Sequence, residues 1–221
     1  MLDKAVFYND VRANLFGGIL RQEQVNGMEA ILDFWESPPV NPTGEFKINW
    51  DIRSIGWLAY MLATTFHETA RTMQPITEFG SFNYFRRYCN RSDLGNGPSN
   101  GGLVDDGPRF RGRGYVQLTG RRNYTLMTPI VRQFYPGSPD FTTDPDAVKD
   151  DNYAAVIMFY GMFNGIFTGK ALKNYIGDPN KGQIVDYFNA RRVINGLDQA
   201  RLIEGYAKDF EQALDVAGAQ A

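Results

Sequence analysis

LAYMLATTFHETARTMQPITEFG, Leu58 to Gly80, is the stretch on which the fold class turns. Ile55, Leu58, Leu62, Phe66 and Thr69 recur at helical spacing, so the segment from about Asp51, a candidate N-cap, to Thr72 is predicted as one long helix. Trp57, Met61 and Thr64 line a second, mostly apolar face, and Glu68 falls on it one turn beyond Thr64. A helix with so little polar surface belongs in a core. A carboxylate emerging from it is expected to be partly desolvated, which disfavours its anion and suits it to donate a proton. Pro75 ends any helix, and Glu78 follows in a run rich in Thr, Gly and Ser, on a different element. Two carboxylates delivered from separate elements can face each other across a cleft. In an inverting glycosidase one such acid protonates the leaving oxygen while the other activates a water, with the carboxyl groups roughly 6.5–9.5 Å apart.

Simpler readings stand beside this one. Glu68 as a solvated charge, or as an ion-pair partner of Arg71 on the next turn, satisfies the same spacing. His67-Glu68 resembles the start of the HExxH zinc motif, but the fifth position is Arg71 where a second histidine is needed. His67 is the only histidine and Cys89 the only cysteine, so clustered His/Cys zinc sites and disulfide frameworks are excluded by counting.

The second informative block is RFRGRGYVQLTGRRNY, Arg109 to Tyr124. Gly112 and Gly114 permit tight backbone conformations, and Tyr115 to Thr119 alternates as a short strand does, which would present Gln117 and Thr119 on one face. An amide and a hydroxyl are suitable groups for holding a sugar or a water, and Asn123 adds another amide. The block is not a dinucleotide fingerprint, because the strand follows the glycines and the third glycine is missing. Arg109, Arg111, Arg113, Arg121 and Arg122 sit in a chain of net charge −2. They are therefore read as local anion-binding or structural groups, and nucleic acid is not expected as a partner.

AYMLATTFHET, GRGYVQLTGRRNY, DPDAVKDDNYAAVIMFY and VINGLDQAR, in that order from about Ala59 to Arg201, resemble glycoside hydrolase family 19, the lysozyme-like family of chitinases and phage endolysins. The N-terminal segment FYNDVRANLFGGILRQEQVNGMEAILDFWE and the MQPITEFG run are most similar to the phage and prophage endolysin branch. The resemblance implies Glu68 as general acid, Glu78 as general base at the short endolysin spacing, and Thr119 where chitinases usually have a serine that helps hold the attacking water. It further implies His67, Gln117, Asn123, Tyr124 and Asn195 as substrate-contacting or cleft-supporting positions, and Arg201 as an arginine engaged with acidic cleft residues. Gly120, Arg121 and Arg122 depart from the chitinase form of the block, which has aromatic and asparagine residues there.

The expected fold is mainly α with a small α+β, lysozyme-like character: a two-lobed helical domain with a short β element beside the cleft. With 221 residues, 43% of them hydrophobic, the chain can bury a full core. A single domain over 1–221 is expected, with residues 1–36 as a helical segment packed on it. Helices are also predicted at Asp3–Leu15, Gln22–Trp35, Asn83–Cys89, Arg121–Phe134, Asp150–Phe163, Gly182–Ile194 and Asp198–Leu214. Ser37–Gly44 reads as a loop, and Arg91–Arg109 as either a cleft rim or a surface connection. The N-terminal residues lack the basic start and apolar run of a signal peptide, and no run is long enough to span a bilayer. The functional expectation is an endolysin that hydrolyses β-1,4 bonds between amino sugars of peptidoglycan with inversion. It is made in the host cytoplasm, acts at the wall after the membrane is breached, and needs no cofactor, metal, membrane insertion or second subunit. A chitinase is the alternative, and a wall-binding protein with a dead site a more distant one.

Overall fold

The computed structural model describes residues 2–39, 48, 54–101, 105–178 and 181–220. The architecture among them is helical: α1 Lys4–Asn14, α2 Gln22–Glu36, α3 Ile55–Glu68, α4 Phe82–Phe85, α5 Asp106–Arg109, α6 Arg121–Phe134, α7 Asp151–Asn164, α8 Tyr187–Ala190 and α9 Ala200–Val216. Short 3-10 turns extend α4 over Arg86–Tyr88 and α8 over Arg191–Val193. No described helix is long and apolar enough to cross a membrane.

α3 is the axis of the molecule. Every residue from Gly56 to Phe66 is buried, as its all-round apolar character requires. α9 packs along it, α1 and α8 pack on α9, and α2 bridges α3 and α7. The Phe66 ring meets Phe16, Tyr206 and Phe210 at 5.1, 4.8 and 5.9 Å between centroids, which explains the apolar stripe of α9. The Trp57 indole packs edge-on against Phe163 at 4.7 Å and donates its N–H to the Ile176 carbonyl at 2.7 Å, satisfying the one polar atom of a buried ring. Phe159, Tyr160 and Phe163 on α7 are thus core residues, whereas the half-buried Phe167 reaches the groove described below.

A second group of elements gathers α4, α5 and the turn after α4, with α6 packed on α7 and on a 3-10 turn at Ser92–Leu94. The arginine-rich block serves this group. Arg121 pairs with the buried carboxylate of Asp106, Arg109 donates to the carbonyls of Thr142 and Thr143, and Arg113, only 3% exposed, binds Asp146 and the hydroxyl of Tyr124. The described part of the Arg91–Arg109 loop is likewise pinned, with Gly97 N–H on Asp106 and Ser99 on Asp105.

Three expectations change. α3 stops at Glu68, short of Thr72, because Ala70, Arg71 and Met73 take positive φ values of 51°, 67° and 56°. The Asp51 cap lies outside the described residues; Ser54 occupies the N-cap of the helix as it stands. The strand at Tyr115–Thr119 is absent: Gly114 and Gln117 have φ of 83° and 52°, incompatible with an extended run. Residues 114–117 form instead a turn closed by a single bridge between Arg113 and Leu118, and Arg113 also bridges Thr77. The long helix expected over Gly182–Ile194 is only α8 and its 3-10 extension.

The segment between α3 and Glu78 is held from outside. Non-glycine residues in the left-handed region cost about 1–2 kcal/mol each, so they persist only where the surroundings over-determine them. Thr69 caps α3 and its hydroxyl accepts the Met73 N–H at 3.0 Å. From α2, Gln24 donates to the Arg71 carbonyl at 2.9 Å, while Gln74 donates back to the Glu23 carbonyl at 2.6 Å. Gly27 lets the helix close on this segment: a Cβ there would sit 1.8 Å from the Met73 carbonyl oxygen.

Candidate active site

Glu68 and Glu78 line one groove of about 580 Å³. Glu68 arrives on the last residue of α3, where the helix turns out of the core. Its Oε1 accepts from Arg191 Nη1 at 2.6 Å, and the arginine is only 3% exposed against 17% for the glutamate side chain. Arg191 in turn donates through Nε to the Asp198 carbonyl at 3.0 Å, which fixes the guanidinium plane. Glu68 is therefore charge-paired where apolar surroundings were expected, and the partner is not Arg71. The Arg71 guanidinium turns away to the Tyr206 hydroxyl at 3.1 Å and lies over the Phe66 and Tyr206 rings.

Glu78 is held by a different set of groups. Its backbone N–H donates to the Gly112 carbonyl at 2.8 Å, and Gly112 N–H donates to Glu78 Oε2 at 3.0 Å. The Tyr88 hydroxyl donates to Oε1 at 2.8 Å, with the more exposed Arg87 at 3.9 Å. A Cβ at Gly112 would stand 2.8 Å from Gln117 Oε1 and 3.2 Å from Glu78 Oε2, so these two side chains would have to shift to admit one. Burial pushes the Tyr88 phenol up to about 12, with its bond to Glu78 adding to the effect against the opposing pull of Arg87. It stays a proton donor to the carboxylate across the neutral range.

The Gly-rich turn supplies the groove's floor. Gln117 spends its amide N–H groups on the Ile76 and Gly114 carbonyls, at 3.2 and 3.1 Å, tying the turn to the Glu78 segment. Thr119 donates its hydroxyl proton to the Gln117 carbonyl at 2.8 Å, which leaves the hydroxyl oxygen as an acceptor toward the groove it lines. Asn123 donates to the Thr119 carbonyl at 2.8 Å from the first turn of α6. His67 and Asn195 complete the set, Asn195 being exposed after the turn that carries Arg191. Burial lowers the His67 imidazole below its ordinary value, opposed by the neighbouring Glu68 carboxylate, so the ring is neutral at pH 7.

Seven residues singled out from sequence thus share the groove: His67, Glu68, Glu78, Gln117, Thr119, Asn123 and Asn195. Two do not. Tyr124 is fully buried, its hydroxyl bonded to the Arg111 carbonyl and to Arg113, so it braces the arginine block from beneath. Arg201 lies on the first turn of α9, its side chain 83% exposed, over the Phe188 ring and 3.4 Å from Glu204. The arginine bonded to Glu68 is Arg191. Sequence reading also passed over Tyr88 and over Phe79, a 77% exposed ring beside Glu78 on the groove's rim.

The sequence matches no family model and no curated protein. Among solved structures, a bacterial family 19 chitinase superposes with a TM-score of 0.51 at 17% identity, covering 99% of this chain and 96% of that one. A chitinase C mutant gives 0.50 at 17% identity, covering 99% and 93%. The chain has the fold of a family 19 chitinase.

Proposed function

We propose that the protein is a glycoside hydrolase that cleaves β-1,4 bonds between amino sugars of peptidoglycan with inversion at the anomeric carbon. The observation that carries this reading is the pair of glutamates on separate elements lining one groove, each fixed by its own partners. Glu68 has Oε1 engaged by Arg191 and acts from its protonated form, the proton on Oε2 passing to the glycosidic oxygen as the glycosidic bond breaks. Glu78, oriented by Gly112 and Tyr88, takes a proton from the water that attacks the opposite face of the sugar. The Thr119 oxygen accepts a hydrogen bond from that water. Phe79 offers an exposed ring face on which a pyranose can stack.

The endolysin reading draws on the sequence resemblance and on a single buried cysteine, Cys89, which fits synthesis in a reducing host cytoplasm before the wall is reached. We take the acting species to be a monomer. A chitinase is the second reading, favoured by the fold shared with chitinases. A wall-binding protein with a dead site ranks below both, since both carboxylates are present and line one groove. Reducing-end release from purified peptidoglycan by wild type, Glu68→Gln and Glu78→Gln, with product masses and chitin oligomers in parallel, separates the three. Muropeptides from wild type and near-total loss in both variants are expected. Cleavage of chitin alone would move the protein to the chitinases, and sacculus binding with no released ends would make it a binder.

A further inference from the structure

Behind the segment that joins the two glutamates lies a second groove of about 620 Å³. Ala70 and Ile76 line both depressions, so the two adjoin along a ridge formed by the segment that carries these residues. One wall of the second groove is apolar: Leu15, Phe16 and Ile19, the last 70% exposed. The rest mixes the neutral polar side chains of Gln24, Thr72 and Gln74 with charge. Arg21 and Arg71 are exposed, and among the described residues neither makes an ion pair with a carboxylate. The Arg71 guanidinium is held in place by the Tyr206 hydroxyl and by the rings of Phe66 and Tyr206, so an anion arriving there meets a pre-ordered donor. Glu23 adds a single exposed carboxylate to the same wall.

Beside its two carboxylates and Arg91, the catalytic groove offers amides, hydroxyls and aromatic rings, which suit a sugar chain. Its neighbour offers two guanidiniums, one carboxylate, two amides and apolar surface, which suit a short peptide bearing several carboxylates and one amine. A peptide of that kind branches from alternate sugars of peptidoglycan and is absent from chitin. We propose that the second groove binds the peptide branch of peptidoglycan while the glycan lies across Glu68 and Glu78. This rests on the muralytic reading above. It makes the ridge at Ala70 and Ile76 the line between the groove that reads sugar and the groove that reads peptide.

The test compares kcat/KM on intact peptidoglycan with kcat/KM on the same glycan stripped of peptides by an amidase. Arg21→Met and Arg71→Met are combined, because methionine keeps the aliphatic contact and removes the charge. Wild type is expected to prefer the peptide-bearing polymer, and the double variant to lose about tenfold of that preference, chiefly through KM, as two solvent-exposed ion pairs would. Arg21→Glu alone should lower the preference further than Arg21→Met. A preference ratio that is the same in wild type and in all variants overturns the proposal while leaving the muralytic reading intact. Wild-type inactivity on both peptidoglycan forms, with cleavage of chitin oligomers, overturns that reading and the proposal with it. Equal thermal midpoints for wild type and variants exclude loss of folding as the cause.

Discussion

Replacing Gly27 by alanine tests whether α2 sets the relation between the two carboxylates. The added Cβ would lie 1.8 Å from the Met73 carbonyl oxygen, 2.7 Å from its carbonyl carbon and 2.9 Å from Gln74 Nε2. Carbon and oxygen approach no closer than about 3.3 Å without strain, so helix and segment must part by roughly 1.5 Å. Met73 cannot yield alone, because its φ is 56° and its N–H is bound by Thr69. The displacement passes into residues 70–76, within the stretch of chain that joins Glu68 to Glu78. Overpacking of this kind costs about 1–3 kcal/mol, which for a chain of this length lowers the melting temperature by about 2–4 °C per kcal/mol. A misplacement near 1 Å at the reacting groups costs about a hundredfold in rate. Calorimetry together with reducing-end kinetics should therefore show a melting temperature lower by about 2–12 °C and a kcat lower by about a hundredfold. A kcat within twofold of wild type, alongside the lower melting temperature, would refute the claim that this segment sets the carboxylates. An unchanged melting temperature would refute the tight docking of α2 itself.

Arg191→Met leaves the Glu68 charge without its buried counter-ion and is expected to cost about 3 kcal/mol in urea unfolding. Adding Glu68→Gln should restore part of it, and a double variant less stable than the sum of the singles would argue against the pair. Tyr88→Phe removes a hydrogen bond to Glu78, and about tenfold loss in kcat with KM within about twofold is expected; an equal rise in KM would point to sugar contact instead. For His67 the sign is as follows: the folded pKa is depressed mainly by burial, so the unfolded chain binds more protons and the residue destabilises the fold as pH falls below the unfolded value near 6.5. His67→Gln should therefore lose less stability than wild type between pH 7 and 5 in parallel melts. Glu211, raised by burial, works in the opposite direction but cancels in the difference. Parallel curves for the two proteins would sink the assignment.

What could be read from the sequence was whatever periodicity and residue chemistry encode locally. The helices α1, α2, α6 and α7 begin and end within a residue or two of their expected bounds, because apolar spacing and signals such as Asp3 and Asp150 at N-caps act over one turn. The end of α3 was not legible, since Thr72 and Arg71 have no local aversion to helix. Contacts from α2, far away in sequence, impose the left-handed run there. The strand at Tyr115–Thr119 failed for the same kind of reason: alternation was present, but no neighbouring strand pairs with it among the described residues. The turn is held by Gln117 reaching Ile76. Arg201, expected to engage acidic cleft residues, lies exposed beside Glu204, and the arginine bonded to Glu68 is Arg191, which the resemblance did not single out.

A signal for Arg191 was nevertheless available. Tyr187, Ala190, Arg191 and Ile194 fall at i, i+3, i+4 and i+7, so the arginine occupies an apolar stripe. An arginine in that place is buried and therefore needs an anion, and the anion must come from another element, because no acidic residue lies on its own short helix. The apolar character of α3 supplies the complementary half of the argument. Glu68 is the acidic residue of that helix, and it sits where the helix leaves the core. Two charges that each lack a local reason for burial are each other's reason. Their pairing also divides the roles of the glutamates. Glu68 is anchored through one oxygen by a cation fixed in the core, whereas Glu78 is hydrogen-bonded by the neutral donors Tyr88 and Gly112, with only the exposed Arg87 at 3.9 Å, on a segment whose shape depends on α2. The first is positioned by charge and is insensitive to small shifts of the ridge. The second is positioned by backbone, and so Gly27 and Gln24 act on Glu78 and spare Glu68.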